Sequence, residues 1–66
     1  MIKVVIYDEG NIYESVMVDT KIFNSVDEAI SYAVRNADNY ISIDIITEKT
    51  IVTILDYRVY SIKERR

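Results

Sequence analysis

The stretch from Ser25 to Asp38 constrains this chain more than any other. Val26, Ala29, Ile30, Ala33, Val34 and Ala37 recur at three- and four-residue spacing, which predicts a helix with one apolar face. Asp27, Glu28, Ser31, Arg35 and Asp38 fall on the opposite face. Ser25 followed by Glu28 matches a capping box: the serine oxygen accepts a first-turn amide and the glutamate can reach back. Asp27 and Glu28 suit the positive end of the helix dipole. Asn39 is the expected stop, because Asn tolerates the left-handed conformation that ends helices. Three of the six apolar positions are Ala, so the helix should lie close against a sheet.

The rest of the chain supplies that sheet. Ile occurs twelve times, Val eight and Leu once, and β-branched side chains suit strands. With no Pro and one Gly, long loops are not expected. Ile2 to Tyr7 reads as a first strand. Asp8-Glu9-Gly10-Asn11 is the strongest turn signal, and Ile12 to Val18, running on as far as Phe23, is the second strand. A three-residue loop pairs Ile6 with Glu14, Val4 with Val16 and Ile2 with Val18 on the helix side, and Tyr7 with Tyr13, Val5 with Ser15 and Lys3 with Met17 on the other. Tyr40 to Thr47 is the third strand, with Ile41, Ile43 and Ile45 alternating with Ser42 and Asp44. A two-residue turn at Glu48-Lys49 pairs Ile45 with Val52, Ile43 with Ile54 and Ile41 with Asp56. The fourth strand continues to Tyr60 or Ile62, and Ser61 to Arg66 forms a frayed basic tail. The expected fold is therefore α+β: one domain over residues 1–66, in the order ββαββ. It has one four-stranded, mainly antiparallel sheet with the helix on one face. Placing the second strand outermost, then the first, third and fourth, keeps every neighbour antiparallel.

On these registers the face away from the helix carries Tyr7, Tyr13, Met17, Tyr40, Ile46, Leu55 and Tyr57, with Val5 and Ile51 among them, Tyr40 opposite Tyr57, and Lys3, Ser15, Ser42, Asp44 and Thr53 diluting it. Such a face is more apolar than water tolerates well, which marks these seven residues as a partner-binding surface. The unpaired sheet edges are a second candidate surface.

Catalytic parts are missing. With no Cys and no His, nothing activates a serine, and the commonest general base is absent. The carboxylates share no concave site, Asp8-Glu9-Asn11 lacks the spacing of a calcium loop, and one Gly excludes the phosphate-loop and dinucleotide motifs. We therefore expect no enzyme activity, cofactor or metal. A net charge of −3 disfavours nucleic acid and anionic membranes. No leader and no run of about 18 apolar residues is present, so the cytoplasm, or a host's cytoplasm for a viral gene, is the expected compartment. The leading expectation is a small non-enzymatic protein-binding module that occludes a surface on its partner. In size and economy it resembles accessory proteins of phages and mobile elements, some of which inhibit host proteins. That likeness is carried by no motif. The alternatives are a structural or regulatory homodimer joined through the Tyr-rich face, and a single-stranded nucleic-acid binder stacking bases on the same tyrosines.

Overall fold

The computed structural model describes residues 2–8 and 16–65. Its elements are β1 (Ile2–Asp8), β2 (Val16–Phe23), α1 (Val26–Asn36), β3 (Ile41–Ile46), β4 (Thr50–Leu55) and β5 (Arg58–Glu64). The five strands form one sheet in the order β2-β1-β3-β4-β5. Every neighbouring pair is antiparallel. The α+β class, the ββαββ order of the first five elements and the single helix packed against an antiparallel sheet are as expected, but the sheet has five strands where four were expected. So is the placement of the second, first, third and fourth strands. The β3–β4 register also matches the expected one, with Ile43 opposite Ile54 and Ile45 opposite Val52.

The helix begins as its sequence dictates. Ser25 is extended, at φ −137° and ψ 154°, and its Oγ accepts from the Glu28 amide at 3.2 Å. It ends earlier than expected. Ala37, not Asn39, is the C-cap, and its N–H donates to the Ala33 carbonyl at 2.8 Å. Two side chains serve the last-turn carbonyls instead: Arg35 Nε donates to Ser31 O and Asn36 Nδ2 to Tyr32 O. The expected apolar face divides into two stripes. Ala29, Ala33 and Ala37 are fully buried on the sheet, while Val26, Ile30 and Val34 form a flank. Small side chains let the helix come close to Val4, Ile6, Ile43, Ile45 and Ile54, which complete the core.

The first hairpin departs from the expected register. Ile2 pairs with Phe23, Val4 with Lys21 and Ile6 with Asp19, and after a bulge Tyr7 pairs with Met17. Ile6–Glu14, Val4–Val16, Ile2–Val18 and Lys3–Met17 are therefore not partners. The loop and Tyr13 fall on residues 9–15, outside the described residues. On the helix side β2 contributes Phe23, whose ring lies 5.4 Å from that of Tyr32, and Lys21, whose Nζ stands 5.8 Å from the Tyr32 ring centre.

The long fourth strand is the second departure. It breaks at Asp56-Tyr57, and the chain returns as a fifth strand with Leu55 opposite Arg58. Ser61–Glu64 are thus paired strand, not frayed tail. Both turn residues have positive φ, 56° and 61°, the signature of a tight hairpin turn normally built on Asn-Gly. Two long-range bonds hold it: the Tyr57 amide donates to Ala37 O at 2.7 Å and the Asp56 amide to Asp38 O at 3.1 Å. The turn is thereby fastened to the end of the helix. A tyrosine in the left-handed region costs about 1–2 kcal/mol that glycine avoids. Tyr57→Gly should therefore raise the thermal midpoint. An unchanged or lower midpoint would show that the Tyr57 side chain contributes packing worth at least as much.

Candidate functional site: an apolar groove and two sheet edges

The groove follows from a mismatch of widths. Five strands at about 4.8 Å spacing make a sheet roughly 19 Å across between outer strand axes, whereas one helix with its side chains is about 10 Å wide. Helix α1 lies over the middle of the sheet, nearest β3, so part of the helix-side face stays uncovered towards β4 and β5. At the end of the sheet where α1 begins, Ile2 on β1, Val26 and Ile30 on α1, Ile45 on β3 and Val52 on β4 line a groove of about 480 Å³, closed at one end by residues 47–50. The register puts Ile62 beside Val52 on the same face, and Ile62 is 66% exposed. The walls and floor are aliphatic, and Glu48, Lys49 and the two threonines supply a polar rim. That volume and chemistry suit an apolar anchor from another molecule.

The rim is rigid although its turn lacks Gly or Asn. The Thr47 hydroxyl accepts from the Thr50 amide at 3.0 Å and the Lys49 amide at 3.3 Å, doing by side chain what a turn glycine would do by conformation. Thr47 N also donates to Thr50 O at 2.9 Å. Arg65 ties the chain end to this turn: its guanidinium donates to Thr47 O at 2.7 Å and its amide to Lys49 O at 2.8 Å.

The seven residues expected to form a tyrosine-rich face are dispersed. Tyr7 is half-buried on β1 and pairs with exposed Met17 on β2. Ile46 and Leu55 are half-buried on β3 and β4. Tyr40 lies before β3 begins, where its amide donates to Asp38 Oδ1, and Tyr57 sits in the β4–β5 turn, so neither stands on a strand of this face. The middle of this face is sealed or polar: Val5 and Ser42 are buried, and Thr53 Oγ1 donates to Asp44 Oδ1 at 2.7 Å. Exposed apolar side chains gather instead on the outermost strands, as Val16, Met17, Val18 and Ile22 on β2 and Val59, Tyr60 and Ile62 on β5.

The two edges differ. β2 carries a bulge at Val18, and its helix side presents Asp19 and Lys21, which pair with each other at 3.7 Å. Bulges and inward-turned charges are devices that discourage further strand pairing. β5 has a bulge at Tyr60, but beyond it Ser61–Glu64 run regularly against Thr50–Thr53. Its helix side offers Ile62, with the single charge of Glu64 one step beyond it. The exposed Ile62 and the rim turn were within reach of sequence reasoning. The break at Asp56 was not, because Tyr57 stands where the usual signal has Gly.

Among the described residues no three His, Cys, Asp or Glu side chains converge as a metal site would require, and no helix is long and apolar enough to cross a membrane. Comparison with protein-family models, curated proteins and solved structures returned no match.

Proposed function

We propose that this protein is a non-enzymatic protein-binding module that seats an apolar segment of its partner in the groove beside α1, occluding that segment. One observation carries the reading. Val26, Ile30, Val52 and Ile62 stay wholly or partly open to water on the face whose other half forms the core. A small domain that leaves an aliphatic trough beside its helix gains by covering it. The partner fills the place that a second helix takes in wider two-layer folds.

Val26→Glu tests this without disturbing the fold. Val26 is the first residue of α1 and 41% exposed, and a carboxylate in the first helical turn favours the dipole. The substitution nevertheless puts a charge in the groove mouth. In a pull-down from the native host's lysate, wild-type protein should retain a partner that Val26→Glu loses, with the two proteins unfolding at the same temperature. Identical retention by both would remove the groove from the binding surface.

A further inference from the structure

We infer that β5 is a self-pairing edge: two copies join antiparallel along it, about a two-fold axis at Ile62, into one ten-stranded sheet. The backbone supplies the first observation. Arg65 N donates to Lys49 O, and groups alternate along a strand. Lys63 and Ser61 therefore also turn their amides and carbonyls toward β4. Those of Ile62 and Glu64 point away from the sheet, where no further strand lies among the described residues.

The side chains supply the second observation. With Ile62 opposite the second copy's Ile62, Ser61 stands opposite Lys63 and Tyr60 opposite Glu64. Aliphatic meets aliphatic on the helix side, where Ile62 is now exposed, and from Tyr60 to Glu64 no two like charges stand directly opposite. A shift that centred the axis on Lys63 would set two ammonium groups face to face, and like charges directly opposite are destabilising. Tyr60 and Ile62, at 71% and 66% exposure, are the most exposed large apolar side chains described, and both would be covered. β2 offers no equivalent edge, because Asp19 and Lys21 occupy its helix side.

The pairing also completes the groove. Both helices lie on the same side of the joined sheet. Five strand spacings then separate their axes, roughly 24 Å, leaving a trough about 14 Å wide, room for one helix. The second copy contributes its own Ile62 to the floor. This completion rests on the binding reading above, whereas the strand pairing stands apart from it.

The test combines mass with cross-linking. Light scattering on a sizing column should give twice the monomer mass, and Ile62→Lys should give a folded monomer, checked by circular dichroism. The chain has no cysteine, so Ser61→Cys and Lys63→Cys can be made singly. In the proposed register these two positions face each other as a non-hydrogen-bonded pair, with Cα atoms roughly 4.5 Å apart, within disulfide reach. Each position is too far from its own copy. Mild oxidation should link the mixture of the two variants and leave each alone unlinked. A monomer at every concentration, up to millimolar, overturns the pairing and leaves the groove reading to the Val26→Glu test. A dimer that survives Ile62→Lys, or that links without regard to the mixture, also overturns it, since the copies then meet elsewhere. Should Ile62→Lys fail to fold, the cross-linking result decides alone.

Discussion

Ile43→Ala should leave this chain largely unfolded in mild denaturant. Ile43 is wholly buried on the central strand β3, between Ile6 on β1 and Ile54 on β4. Three aliphatic side chains thus form one row across the sheet beneath the alanine stripe of α1. Truncating a buried isoleucine costs about 2–5 kcal/mol, the upper part where the surroundings cannot collapse. Collapse is hindered here because β3 is pinned by strands on both sides. A chain of 66 residues has on the order of 3–10 kcal/mol to lose. No disulfide limits the unfolded state, since there is no Cys. Urea titration followed by circular dichroism should therefore show the midpoint falling by about half or more, or no folded baseline at all. A loss below about 1 kcal/mol would mean that the row is not the centre of the core.

Ala33→Leu is the second large effect, and it separates two explanations of the same helix. By intrinsic propensity the exchange is nearly neutral, because Ala and Leu are the two best helix formers. By packing it is harmful. Ala33 is fully buried in the middle of the stripe, with Ala29 one turn before and Ala37 one turn after, all against the sheet. Three added carbons have no space there, and overpacking of this kind costs about 1–3 kcal/mol. The helix can relieve the clash only by lifting, which draws Ile30 away from Val52 and widens the groove. We expect a lower thermal midpoint and weaker retention of any groove-bound partner. Leucine at the exposed Ser31, on the opposite face, should do neither. Equal stability of Ala33→Leu and wild type would show that the helix does not approach the sheet as closely as its alanines suggest.

Much of this fold was legible because its signals are local. The period of Val26 to Ala37 and the serine at position 25 place the helix and its first turn. Strict alternation over Ile41, Ile43 and Ile45 assigns the inward face of β3, and a two-residue turn then sets its register with β4. The candidate site was less legible. Counting tyrosines by strand parity predicts a sticky outer face. Tyr40 and Tyr57 have the right parity but lie off the strands, and Asp44 with Thr53 makes the middle of that face polar. The groove depends on how much of the sheet one helix covers, which in turn depends on the number of strands.

The sequence by itself determined the helix, its N-cap and the inward faces of β1, β3 and β4, since period, capping and alternation are properties of neighbouring residues. Only the tertiary structure decided the register of β2 and the existence of β5. β2 is an outermost strand, exposed along its length except at Phe23, and burial specifies register only where a face is buried. The expected pairing of Val16 with Val4 and Val18 with Ile2 lost to one that seats Phe23 on Tyr32. The break before β5 needs two residues in the left-handed region, and only the first of the pair, Asp56, is of a type that tolerates it. The carbonyls of Ala37 and Asp38, remote in sequence at the end of the helix, hold it in place.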